Sequence, residues 1–368
     1  MNTLTEQSFK EFEKTSNYDW WQKLKAELLQ AGKELALQET GTEPVPFYTR
    51  ENMDAKTAMA HSQFSNLIYK PWLIDEPINF NYDFASKVEK AMQGGADGVT
   101  LAIKKTPTSE EIKFIHEITS SLKFLNFNFT ESTEIPPLLF EKNTGTLRIT
   151  TRKAWPSNDT LFALYNLMQS NLPNYRFISV SSALHNHEDI SAELSKTIAL
   201  AIEYIHYYTE RGLSLNHVLN NIELSFTVGK NFLTEIAKLR AARLLWNRIL
   251  EAYNIKSSEI NTPIHSIAYP DVNASSEGAI RLTIEAMSAI LGGCNSVSVI
   301  PFSSENTKFS ERISRNITLL LKEESYLDKV TDPLGGAYYI EKATFMMAEK
   351  AWNQLRYIEN KGGYLKSV

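Results

Sequence analysis

The chain has 368 residues, 43% hydrophobic and 22% charged, with 38 Lys and Arg against 43 Asp and Glu, giving a formal net charge of −5. That is the profile of one large or two medium globular domains, and a mildly acidic chain without a basic stripe is not a general nucleic-acid binder. The single cysteine, Cys294, excludes an intramolecular disulfide and a cysteine-clustered zinc site, and a reducing, cytoplasmic setting is expected.

The N-terminus, MNTLTEQSFKEFEK, is polar, so no secretory signal is expected. No run approaches the roughly 18 apolar residues of a membrane span. Residues 1–65 read as an arm. Phe9, Phe12, Trp20, Trp21, Leu24, Leu28 and Leu29 suit one or two amphipathic helices broken near residues 16–17. Pro44, Pro46 and the polar run after Tyr48 then exclude a long regular element. Adjacent tryptophans need a surface, in this chain or in another.

From about residue 70 to the end a β/α rhythm sets in. Eight apolar, β-rich runs recur at 72–80, 98–103, 124–129, 147–151, 176–182, 222–228, 263–269 and 296–302. Helical patterns fill most gaps, at 84–93, 109–122, 159–171, 188–211, 230–254 and 275–291. Ser109 and Ser157–Asp159 supply N-cap chemistry, and Gly292–Gly293 stops a helix. The link after the third run is the exception, because Pro136–Pro137 forbid a normal helix there. Residues 66–368 are therefore expected to form an α/β fold, a (β/α)8 TIM barrel with a C-terminal helix near 343–360. A doubly wound open sheet is the rival.

In a barrel the chemistry sits at the C-terminal strand ends. Those ends read Asp75 and Glu76, Lys104 and Lys105, Thr130 and Glu131, Arg152 and Lys153, His185 and His187, Thr227, His265 and Ser266, and Ser303 and Ser304. Arg152, Lys153, His265 and Ser266 are the set expected to converge on an anion. The alternative is a solvated polar mouth. His185 and His187 lack a third ligand at metal-site spacing, so no metal is expected. There is no GxGxxG, no GxxxxGK[ST] and no GxSxG, leaving dinucleotide, P-loop and hydrolase-elbow readings unsupported. Cys294, between Gly293 and Asn295, occupies a structural slot.

FLTEIAKLRAARLLW (232–246), IRLTIEAMSAILGG (280–293), ERISRNITLLLKEES (311–325) and VTDPLGGAYYIE (330–341) together resemble the methylmalonyl-CoA mutase family, in order and in separation. TRKAWPSND, NYRFISVSS, YTRENM and GADGVTLAI fit more loosely. The closer likeness is to the small, or beta, non-catalytic subunit. The family's catalytic chains carry a Tyr-His pair after the fifth strand, where this chain has SSALHNHED; they carry an HTN-type stretch after the eighth, where it has SVSVIPFSS. Their basic residue before LSF is replaced by Glu223, an acid expected to repel an anion by roughly 4 kcal/mol at ~4 Å and an effective ε of ~20. His265-Ser266 keeps the start of a ligand-contact motif.

The resemblance therefore implies a barrel that supports a large chain in a heterodimer. The large chain would hold adenosylcobalamin and interconvert (R)-methylmalonyl-CoA and succinyl-CoA. The small chain itself would bind no cofactor, since a cobalamin domain with its D-x-H-x-x-G motif is not found, and acyl-CoA only weakly. Arg152, Lys153, His185, Ser225, His265 and Ser266 become vestigial pocket candidates, with no catalytic residue among them. The alternative implied is an acyl-CoA-binding barrel active with a separate cobalamin protein.

Overall fold

The computed structural model describes residues 17–30, 72–130, 134–141, 143–150, 155–170, 172, 174–184, 189–270, 277–302, 307–330 and 332–367. They belong to two compact units, one within Met1–Pro46 and one within Phe47–Val368. In the first lies helix α1, Asn17–Gln30, with Asp19 in its first turn, where a carboxylate suits the positive end of the helix dipole. Trp20 on this helix is 43% exposed. The rest of the arm, including its boundary at residue 65, is outside the described residues.

In the second unit every sequence run with β character is a strand: β1 Leu73–Asn79, β2 Gly98–Ile103, β3 Phe124–Thr130, β4 Gly145–Thr150, β5 Tyr175–Arg176, β6 Ile178–Ser181, β7 Ile222–Val228, β8 Ile264–Ala268 and β9 Ser296–Val299. All pairings are parallel, and the order is β5-β4-β3-β2-β1-β9-β8-β7-β6. Because β5 and β6 are two pieces of one stave, split at Phe177, the two ends of this order meet and the sheet closes. An open doubly wound sheet would instead reverse its strand order at a switch point. The fold is a TIM-like barrel of eight staves.

The helices follow their strands: α2 Phe84–Gln93, α3 Ser109–Ile118, α4 Asn158–Gln169, α5 Ile190–Thr209, α6 Leu215–Asn220, α7 Phe232–Ala252, α8 Glu277–Leu291, α9 Thr307–Leu319, α10 Tyr338–Asn360 and α11 Tyr364–Ser367. Between β3 and β4 the described residues hold only a 3-10 turn, Pro137–Phe140, in keeping with the paired prolines. The α3 N-cap is Thr108 rather than Ser109: its hydroxyl accepts from Glu111 N–H while Glu111 reaches back to Thr108 N–H, a capping box. Ser157 caps α4 as expected. The closing helix starts at Tyr338, one turn earlier than the sequence pattern suggests. No helix of the described residues is long and apolar enough to cross a membrane.

Strand alternation sorts the wall into two faces. Leu101, Ile103, Leu125, Phe127, Phe129, Leu147, Leu224 and Phe226 are buried apolar residues facing the helices, and the alternate positions face inward. One joint of the wall is incomplete. β4 pairs with β5 only at Gly145↔Tyr175 and Thr146↔Arg176, and no pairing joins residues 147–149 to β6 among the described residues. A cavity of about 40 Å³ lies there, lined by Leu147, Ile149, Phe177, Ser179 and Tyr204.

Candidate functional site

The inward face holds charge where a barrel of this size is usually filled with branched aliphatics. Arg148, at the fourth position of β4, extends across the barrel. Its Nε donates to Glu223 Oε1 at 2.9 Å and its Nη2 to Glu223 Oε2 at 3.2 Å, the two-pronged geometry in which guanidinium and carboxylate bind best. Its Nη1 donates to Asp75 Oδ2 at 2.9 Å and to Thr100 Oγ1 at 2.8 Å. Thr100 in turn donates to Asp75 at 2.7–2.8 Å, and Asn126 Nδ2 donates to the same carboxylate at 3.1 Å. Thr146 and Ser179 donate to Glu223, each at 3.1 Å.

Burial pushes the Glu223 carboxyl up, but Arg148 and the hydroxyl donors outweigh it and hold it down at about 2. Burial also works against the charge on Arg148, and Glu223 and Asp75 raise it above its ordinary value nonetheless. His265 is the contrasting member. Its Nδ1 is 2.8 Å from Ser296 Oγ and 3.8 Å from Asp75 Oδ2. Burial, reinforced by Arg148, pushes its pKa down to about 4, so the ring is neutral at physiological pH. Asp75, His265 and Ser296 are not a nucleophilic triad, because acid and hydroxyl face the same ring nitrogen and a relay needs them on opposite ones.

A second charged cluster fixes the rim. Lys238 Nζ of α7 donates to the Thr227 carbonyl at 2.7 Å and lies 2.6 Å from Glu235 and 3.3 Å from Glu193. Burial raises the Glu193 carboxyl, with Lys238 pulling the other way. Ser182 Oγ, just after β6, accepts from Thr227 N–H at 3.2 Å. Ser182, the end of β7 and helices α5 and α7 are thus pinned to one another.

The expected convergence of His265 and Ser266 does not occur. Adjacent strand residues face opposite sides, so His265 points inward while Ser266 is buried on the helix side, against the Cys294 thiol. That thiol is buried and pushed up to about 12 by its surroundings, in keeping with a structural slot. Ser225 is inward, buried and in register with His265. Arg152, Lys153 and His185 are outside the described residues. Asp75 and Glu76 are mid-strand rather than terminal; Glu76 faces out and is held by Arg315 of α9 at 2.5 and 2.6 Å. The repulsive acid inferred at Glu223 is corrected as well, since its charge is bound by Arg148.

Arg148, Thr100 and Asn126 escaped the sequence reading, which looked only at strand ends. The signal was present in GTLRIT: an arginine alternating with Leu147 and Ile149 belongs to the inward face. Among the described residues no group of three His, Cys, Asp or Glu could hold a metal ion. The four described histidines are all hydrogen-bonded within the protein, His116 to the Leu139 carbonyl, His217 to the Met168 carbonyl, His206 to Tyr253 and His265 to Ser296.

The sequence matches the family model described as methylmalonyl-CoA mutase over residues 148–368. It is 28% identical over 99% of its length to the methylmalonyl-CoA mutase small subunit of Porphyromonas gingivalis, covering 66% of that protein. It is 36% identical over 54% of its length to the methylmalonyl-CoA mutase of Rhizobium meliloti, covering 29% of it. It is 31% identical over 58% to the large subunit from Propionibacterium freudenreichii subsp. shermanii, covering 30%. The chain thus spans less than two thirds of each relative. A family match over more than half of the sequence, on a closed parallel barrel, places this chain in the methylmalonyl-CoA mutase family.

Proposed function

We propose that this chain is a small-subunit barrel of a methylmalonyl-CoA mutase, supporting a large partner chain and performing no chemistry of its own. The partner would carry adenosylcobalamin and interconvert (R)-methylmalonyl-CoA and succinyl-CoA. The reading is supported by the relatives, which include chains named small subunit and chains named large subunit. The observation that carries it is the inner network. Arg148 spends its donors on Glu223, Asp75 and Thr100. With His265 neutral and Arg148 bound to Glu223, Asp75 and Thr100, these inward residues offer an anionic acyl group no free cation.

The test is co-expression with the large chain from the same source, with acyl-CoA titrated separately into the isolated barrel. A stable one-to-one complex, with turnover confined to the large chain, is the expected result, together with no acyl-CoA binding tighter than about 1 mM by the barrel alone. Micromolar binding by the barrel, with turnover once a separate cobalamin protein is added, would establish the acyl-CoA-binding alternative instead.

A further inference from the structure

Helix α9 and the turn that follows it carry a stripe of exposed side chains along the outside of the barrel. Phe309, Arg312, Asn316 and Leu320 are exposed and Ile313 is half-buried. They recur every three or four residues, so they share one face of the helix. The opposite face holds the buried Ser310, Ser314, Ile317 and Leu321. Neighbouring α8, which packs on α9, adds the exposed Ile280 and Ile284. Apolar side chains at helical spacing on an outer surface mark a place of contact.

Charge is divided along this stripe. The exposed Lys308 and Arg312 are at its N-terminal end; the exposed Glu323 and Glu324 are at its C-terminal end, on the π-helical turn Leu320–Glu324. The other charged groups of the segment are engaged within the chain, Glu311 with Lys87, Arg315 with Glu76 and Lys322 with Asp97. Glu323 is near Lys329, which Asp328 already holds at 2.7 Å. This division works against the helix itself, because a helix dipole favours acids at the N-terminus and cations at the C-terminus. A second helix running the opposite way offsets both ends.

We propose that this stripe is an isologous contact between two copies of the chain, with α9 antiparallel across a two-fold axis near Asn316. Such a contact must be complementary to itself. Here the two-fold sets the Lys308–Arg312 end of one protomer beside the Glu323–Glu324 end of the other, twice over, with Phe309, Ile313 and Leu320 packed between. A parallel pairing would bring like charges together. The contact is independent of the subunit role, since it needs no large chain.

Sedimentation velocity of the full chain alone, over about 1–100 μM, is the test. A monomer–dimer equilibrium within that range, weakened by added salt, is expected. Lys308→Glu/Arg312→Glu makes the stripe acidic throughout, and Glu323→Lys/Glu324→Lys makes it basic throughout. Both changes suit the helix dipole, and circular dichroism should show the fold unchanged. Each variant alone should dimerise at least about tenfold more weakly than the parent, and an equimolar mixture of the two should restore the dimer. A parent chain that stays monomeric at about 100 μM, variants that dimerise as the parent does, or a mixture that stays monomeric would each overturn the proposal. So would loss of large-chain binding in the variants of a monomeric parent, which would assign the stripe to that partner instead.

Discussion

Arg240 of α7 and Glu341 of α10 are both buried and bonded, Nη2 to Oε1 at 2.7 Å, across 101 positions of sequence. Asp332 also pairs with Arg240, and Glu341 accepts from Gly336 N–H at 2.9 Å. The turn 332–336 and the closing helix are therefore clamped to the helix after β7. Left-handed backbone at Asp332, φ +44°, and Gly336, φ +84°, shapes that turn, while Gly335 needs no such freedom. Glu341→Leu should cost about 1–3 kcal/mol, because it removes one of the two carboxylates on a buried guanidinium, leaving Asp332, and also the acceptor of the Gly336 N–H. Arg240→Met combined with Glu341→Leu should recover part of that loss. Urea denaturation of the two variants checks both expectations.

Arg148→Met should be similarly severe, about 3–5 kcal/mol, since it leaves two inward carboxylates unpaired. Adding Glu223→Leu should restore much of the loss. If the single variant is as stable as the parent in urea, the inner network does not hold the barrel together.

The same pair sets an acid limit. The Glu223 carboxyl is lower in the folded state, about 2 against an ordinary 4.5. Its contribution is complete above pH 4.5 and is lost as pH falls toward 2, on the order of 3 kcal/mol in all. Unfolding free energies at several pH values in this window should fall more steeply in the parent chain than in Arg148→Met/Glu223→Leu.

His265 acts over a higher range. Its folded pKa of about 4 is below the ordinary 6.5, so the unfolded chain takes up the proton first. Stability should therefore fall as pH drops from 6.5 to 4, and His265→Gln should flatten that slope in the same titration.

Gly145 begins β4 where a Cβ would collide with the carbonyl oxygen of Leu125 on β3. Gly145→Ala should cost about 3 kcal/mol or more, since backbone on a paired strand cannot give way as a side chain can. Thermal unfolding by circular dichroism reads this directly.

The fold was legible because β-rich runs and helical patterns alternate from β1 to α9 with one interruption, between β3 and β4, and neither signal depends on distant residues. What the sequence concealed was partnership across the barrel. Arg148 and Glu223 are 75 positions apart, and Arg315 and Glu76 are 239 apart; only closure of the sheet brings them together. Ser266 was misplaced for a local reason, because adjacency in sequence was read as adjacency in space on a strand. The split at Phe177 carries no local signal either, as RFISVSS reads as one uninterrupted strand.

The joint between β4 and β6 gives the barrel a preferred place to yield. A hoop whose staves are laddered all round shares any strain; here the ladder lapses beyond Thr146 and Arg176, and a small cavity lined by side chains such as Phe177 and Tyr204 takes its place. Amides that face this joint lack the cover of a neighbouring strand, so local opening should begin there. Hydrogen exchange in residues 147–149 and Ile178–Ser181 should outpace that in β2 and β3, whose pairing runs the full length of the strand.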